Sequence, residues 1–160
     1  MNTEDTNHLQ LVLRHIDNVQ QSCLILGYKM IEAGDQKDGL QLIANSQIHD
    51  NSKLRPGIEW QYLRDGFNEK HSELFKAAHL QHVSTNPHHP EYWPNGIKDM
   101  PPVYIAEMVC DWKARSSEFG TDLRGYVKDT ATKRFGFTVQ SAQYKLIKKY
   151  LDLLLGTPFK

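Results

Sequence analysis

Between His8 and Ala33 the apolar residues Leu9, Val12, Leu13, Ile16, Val19, Cys23, Leu26 and Met30 recur at steps of three, four and occasionally one residue. That spacing lays one stripe along an α-helix, whereas a strand would need strict alternation. Polar Gln20, Gln21 and Lys29 fill the other faces, and Gly34 supplies a stop. A helix of this length must bury its stripe against further helices, and the rest of the chain offers them.

A shorter helix is expected from Asp38 to about Ile48, with Leu40, Ile43 and Ala44 inward. Ile58 to about His82 predicts a long helix with Trp60, Leu63, Phe67, Leu74, Phe75 and Ala78 as its stripe and an irregularity at Gly66. Asn86-Pro87 ends it, because a residue before proline is pushed out of the helical region. Pro101 or Pro102 then opens a helix from Val103 to Ser117, with Ile105, Met108, Val109 and Trp112 on its apolar face. Phe119 to Phe137, holding Gly120, Gly125 and Gly136 beside Arg124, Lys128, Lys133 and Arg134, reads as partly irregular and basic. A last helix, Val139 to Leu155, reads as a structural element. No strand pattern of convincing length and no internal repeat occurs. The expectation is a single all-α domain over residues 1–160, with about five main helices.

Nineteen basic and nineteen acidic residues cancel, so no global field draws the chain onto nucleic acid or an acidic membrane. Tyr92, Trp93 and the basic 124–134 stretch keep single-stranded nucleic acid as a lesser possibility. The first residues lack a leader pattern, and no window holds the roughly 18 apolar residues of a membrane span. A soluble, cytoplasmic protein is therefore expected. Cys23 and Cys110, each within an apolar helical pattern, read as reduced core thiols.

Histidine is the compositional oddity: there are eight, and five fall between positions 71 and 89. His15 shares a helix flank with Leu11 and Val19, so it points near the core. His49-Asp50 comes at the end of the second helix, where a carboxylate and an imidazole can converge on a cation that neutralises the buried charge. Lys53, three residues on, can reach an anionic substrate oxygen. His79 and His82 share a face; His82 is favoured as the inward one because it lies nearer the next pair. His71 reads as solvated. His88, His89 and Glu91 sit in a stretch from Pro87 to Pro102 that holds five of the seven prolines, which makes it a stiff loop suited to a site wall. Glu107 and Asp111 lie one turn apart in an apolar helix, where an acid has to be paired, exposed or metal-bound.

In chain order these candidates are His15, His49 with Asp50, the histidines of 79 to 89, and Asp111. The order resembles the HD-domain superfamily, helical bundles that place a His, a His-Asp pair and a distant Asp around a divalent metal. The resemblance covers about residues 9–115 and implies His15, His49, Asp50 and Asp111 as the ligands of a first ion. His49-Asp50-Asn51-Ser52-Lys53 is similar to the family's His-Asp-x-x-Lys, and Ala106 to Asp111 to its last-aspartate helix. Relatives with more ions add histidines between these points. His88-His89 is similar to the arrangement of HD-GYP members, which would make His82, His88 and His89 further ligands. The Gly-Tyr-Pro triplet is absent, which argues against cyclic dinucleotide hydrolysis. The stretch is also similar to a small phage and bacterial family with a His-His-Pro-Glu-Tyr-Trp signature.

Mixed imidazole and carboxylate ligands suit one or two ions of Mn²⁺, Fe²⁺ or Zn²⁺. The expected function is a metal-dependent phosphohydrolase that attacks a nucleotide or other small phosphoester with metal-bound hydroxide. Lys53, with Arg115 and Arg124, would neutralise phosphate charge, while Glu107 or Glu91 orients a water or a ligand histidine. Two alternatives stand beside it: a di-iron oxygenase on the same ligands, and a non-catalytic helical binding module.

Overall fold

The computed structural model describes residues 3–66 and 72–156, with the side chains of 3–5 and 66 left aside. All of its regular structure is helical, and no strand occurs among the described residues. Helix α1 (Thr3–Glu32) is followed by α2 (Gln36–Ser46), a 3₁₀ turn (Asn51–Leu54) and α3 (Ile58–Gln61), which runs on as a π-helical turn through Gly66. Helix α4 (Glu73–Thr85) precedes two 3₁₀ turns, Pro90–Tyr92 and Gly96–Lys98. The chain closes with α5 (Pro102–Phe119), α6 (Leu123–Tyr126), a π-helical turn (Val127–Ala131), α7 (Thr132–Phe135) and α8 (Ala142–Leu155). Among the described residues no helix is long and apolar enough to cross a membrane.

The stripe of α1 forms the centre of the core: Val19, Cys23, Leu26 and Met30 are fully enclosed, joined by Leu42, Val109, Ile147 and Leu151. Leu11 and Leu13 instead face outward. Helix α5 is buried on nearly every side, from Val103 to Ala114, because α1, α2 and α8 all pack on it. Cys23 and Cys110 are free, buried thiols in contact across the α1–α5 seam, and this contact together with burial raises the Cys23 pKa.

Four segments differ from expectation. Helix α2 is turned so that Gly39, Leu42, Asn45 and Ser46 are inside while Leu40 is half exposed. The cause is backbone contact. A Cβ added at Gly27 of α1 would stand 2.9 Å from the Gly39 carbonyl oxygen and 2.7 Å from Ile43 Cγ1. The two helices touch where neither has a side chain. The long helix over 58–82 is broken, since Ser72 is extended and its hydroxyl accepts from the Phe75 amide, capping α4 as a new helix. Phe67 and His71 lie outside the described residues. The 119–137 stretch is mostly helical instead of irregular: after the left-handed stop at Gly120, Asp122 caps a run extending from Leu123 to Phe135. The last helix begins at Ala142, capped by Ser141, which leaves Val139 outside it.

The Gly27–Gly39 contact fixes how α1 meets α2. Gly27→Ala forces the helices apart and is expected to cost about 1–3 kcal/mol. In a thermal melt this lowers the midpoint by roughly 2–4 °C per kcal/mol, and an unchanged midpoint would show that the contact is not tight.

Candidate metal centre

The centre is assembled where α1, the end of α2, the end of α4 and α5 meet. His15 enters from the middle of α1, one turn before Val19. The chain leaving α2 turns back through Gln47–Asp50, and Asp50 adopts φ 55°, ψ 15°, the only non-glycine left-handed residue among those described. Aspartate tolerates that region better than most residues, and backbone strain of this kind concentrates at functional sites. The turn sends His49 and Asp50 inward, and they are 2% and 1% exposed. His82 comes from the last turn of α4. Trp93 Nε1 donates to the Pro87 carbonyl at 2.8 Å and pins the loop carrying His88 and His89. Asp111 projects from α5.

The donor atoms converge. Asp50 Oδ1 lies 3.3 Å from His82 Nε2, 3.4 Å from His88 Nε2 and 3.7 Å from His49 Nε2. His89 Nε2 is 3.0 Å from His82 Nε2, and His15 Nε2 is 3.0 Å from Asp111 Oδ1. Three groups of candidate ligands result among the described residues: Asp50 with His82, His88 and His89; His15 with His49 and Asp111; and, on the Nδ1 side of two of the rings, His49 and His88 with Glu107. Three of the buried atoms, Asp50 Oδ1, His49 Nε2 and His88 Nε2, have no hydrogen-bond partner among the described residues. Buried polar atoms are seldom left so, and each unmade bond is costly. Ligands about 2.1 Å from one ion stand roughly 3.0–3.4 Å apart, the spacing of the His82 and His88 contacts with Asp50, of His89 with His82 and of His15 with Asp111, while His49 stands farther from Asp50. These residues could hold a metal ion.

For four of the five rings, all but His89, the far side explains why Nε2 faces the centre. His49 Nδ1 is 2.9 Å and His88 Nδ1 3.4 Å from Glu107 Oε1; His82 Nδ1 is 2.9 Å from Glu59 Oε2; His15 Nδ1 is 3.0 Å from Glu118 Oε1. A carboxylate there keeps the proton on Nδ1 and turns the Nε2 lone pair inward, as in carboxylate–histidine–metal triads. Asn45 Nδ2 donates to Glu107 Oε2, Ser52 Oγ to Glu59 Oε2 and Asn18 Nδ2 to Glu118 Oε1, so the carboxylates are themselves held.

Burial opposes ionisation of Asp50, but Lys53, 2.6 Å from its Oδ2, and the imidazoles around it hold its pKa well below the usual range. Burial is likewise outweighed at Asp111 by His15 and His49. For His49 and His82 burial disfavours the proton, yet Asp50 with Glu107 or Glu59 raises both pKa values. Burial, with His88 and His82 beside it, pushes His89 down to about 2, so its lone pair is free at neutral pH.

In front of the centre lies a cavity of about 510 Å³ whose lining includes Lys53, His82, His89, Asp111 and Arg115. Lys53 is thus both at the centre and in the cavity. Other sequence candidates stand elsewhere. Glu107 is buried behind the rings, able to orient histidines rather than a water in the front cavity. Glu91 is exposed and 3.7 Å from Arg134, so it belongs to the outer surface. Arg124 pairs with Asp152 of α8 at 2.9 Å and is not in the cavity lining, which removes the reason for assigning it to phosphate. His79 is exposed and lies on Phe75, apart from the ligand atoms. Glu59, Glu118 and Asn45 carried no expectation from sequence, and Arg134 only its place in the basic stretch. Glu118 had a signal, since Glu107, Asp111 and Glu118 recur at +4 and +7 on one face of α5; Glu59 had none.

Fold and centre together define an all-helical protein with a buried cluster of imidazoles and carboxylates suited to metal. Residues 4–154 match the profile of the Family of unknown function (DUF5662), and the chain belongs to that family. No curated protein and no solved structure matches it.

Mn²⁺ or Zn²⁺ at a hundredfold excess over its dissociation constant stabilises a folded site by about 2.7 kcal/mol, so thermal midpoints should rise by several degrees. Because His49 and His82 hold protons above their ordinary range, ion binding near pH 7 should release protons, seen as a buffer-dependent enthalpy in calorimetry. His82→Ala should lower metal content and His79→Ala should not. Glu107→Gln and Glu59→Gln should each weaken metal affinity roughly 10–100-fold with every ligand in place.

Proposed function

We propose that this chain is a metal-dependent phosphohydrolase of HD-domain type acting on a small phosphoester. The observation that carries the reading is the convergence of imidazole and carboxylate donor atoms, with Asp50 Oδ1, His49 Nε2 and His88 Nε2 unpartnered among the described residues, behind a cavity whose lining joins His15, His82, His89 and Asp111 to Lys53 and Arg115. The chain order His15, His49-Asp50, His82, His88-His89, Asp111 supports the family resemblance. One or two ions of Mn²⁺, Fe²⁺ or Zn²⁺ would suit these ligands: His15, His49 and Asp111 would hold one, and Asp50, His82, His88 and His89 would hold another. Such ions supply an acidified water and positive charge for phosphoryl oxygens.

The chain's own residues do the rest. Glu107, Glu59 and Glu118 keep the ligand imidazoles in the tautomer that presents Nε2, which makes them positioning residues. Lys53, already beside Asp50, offers an ammonium proton to a phosphate oxygen entering the cavity. Arg115, half exposed and lightly held by Glu118 at 3.4 Å, can turn to a second oxygen. Water adds its oxygen to phosphorus, the ester P–O bond breaks, and the leaving oxygen takes a proton.

The deciding experiment is anaerobic phosphate release from a panel of phosphomonoesters and diesters, run with the untagged chain after loading with each ion. Turnover is expected, reduced more than about 100-fold in His49→Ala and Asp50→Asn, and a raised KM is expected in Arg115→Ala. Oxygen consumption with iron and no phosphate release would replace this reading with a di-iron oxygenase on the same ligands. Absence of both activities, with the ions bound or refused, would leave a binding module.

A further inference from the structure

The cavity in front of the centre has a chemistry that hydrolysis alone does not use. On one wall Phe75 and His79 of α4 lie nearly parallel, 19° apart with centroids at 5.8 Å, and Tyr62 meets Phe75 at 5.5 Å. On another, Trp112 of α5 and Phe135 of α7 are 15° apart at 5.9 Å, with Tyr126 edge-on to Trp112 at 5.4 Å. All six rings line the same cavity. Inserting a flat ring between the members of either pair would need about 7 Å, two contacts of roughly 3.5 Å. Each pair therefore acts as one slab, and a guest meets slabs on two walls.

The lining is as telling for what it lacks. Among the described residues it contains no asparagine or glutamine, and its carboxylates, Glu59 and Asp111, are committed to His82 and His15. A site that reads a heterocycle by its edge needs paired donors and acceptors there. Here the Ser116 hydroxyl donates to the Thr121 carbonyl and the Thr121 hydroxyl to Ser116 Oγ, and the other polar edge groups of the lining include the phenols of Tyr62 and Tyr126 and the guanidinium groups of Arg115 and Arg134. Aromatic faces, by contrast, attract any flat ring of suitable size. Arg134 lies over Phe135 with its guanidinium carbon 4.9 Å from the ring centroid, which adds a cation at the mouth beside the same slab.

We propose that the cavity selects phosphoesters whose organic group is a flat aromatic ring system, held through its faces by Trp112–Phe135 and Phe75–His79 and not read along its edges. This selectivity rests on the phosphohydrolase reading and adds the substrate class to it. The phosphate lies toward Lys53 and the ligand cluster, and the ring lies against Phe75–His79 of α4 and Trp112–Phe135 of α5 and α7.

Binding separates this selectivity from turnover. The Mn²⁺-loaded chain should bind 1-naphthylmethylphosphonate, which cannot be hydrolysed at an ester bond, at least about tenfold tighter than butylphosphonate. Phe135→Leu and Phe75→Leu, which keep apolar volume and lie away from the ligands, should each reduce that ratio severalfold while thermal melts show folded protein. Equal affinity of the two phosphonates, or an unchanged ratio in both folded variants, would overturn the proposal. Adenosine and inosine 5′-monophosphates differ only at the ring edge, and their dissociation constants should agree within about threefold, whereas a site with edge hydrogen bonds separates such pairs by orders of magnitude. A clear difference between them would refute edge-blind recognition. If naphthyl preference holds while no phosphoester in the earlier panel turns over, the hydrolytic reading fails and the aromatic selectivity survives it.

Discussion

A carboxylate that is 1% exposed, surrounded by four imidazoles, is the constraint on which this structure rests. Burying an ion without compensation is prohibitively costly, so the chain must bring positive charge to Asp50 or give up its burial. Lys53 supplies one cation. Against it stand Asp50, Asp111, Glu59, Glu107 and Glu118 at or behind the same rings, with Arg115 only at the edge. The imbalance is negative, and protons on His49 and His82 relieve it only in part. A divalent ion relieves it while using the lone pairs that have no other partner.

The packing exists to hold that arrangement. Helix α5 brings Asp111 and both Glu107 and Glu118 on one face, and it can be buried on nearly all sides because α1, α2 and α8 surround it. The glycine-to-glycine contact of α1 with α2 lets two helices approach closely enough that His15 and the turn after α2 address one point. Glu107 then serves His49 and His88 together, so the groups that contain them share a support.

Helical class was legible because the stripes of α1, α5 and α8 are long and regular. Ligand types were legible because histidine is rare enough that His49-Asp50 and His88-His89 stand out. Rotation was not. Leu40 looked like a core residue on spacing alone, yet the side-chain-free contact at Gly39 turns α2 by another face and buries polar Asn45, which donates to Glu107, and Ser46, whose hydroxyl donates to the Ile43 carbonyl. Glu59 is invisible in sequence for a similar reason: its place behind His82 depends on how α3 meets α4, which no local pattern encodes. Arg124 and Arg134 looked equivalent in a basic stretch. Helix formation across 123–135 sends one to Asp152 and the other to the cavity.

The left-handed turn at Asp50 has a bearing on how such a chain can drift. Backbone geometry there favours Asp, Asn or Gly, since other side chains crowd the neighbouring carbonyl in that conformation. The residue is thus restrained twice, by its carboxylate and by its turn. Asn or Gly at this position would keep the turn while removing the carboxylate, so the backbone and the charge of the candidate centre are separable by substitution.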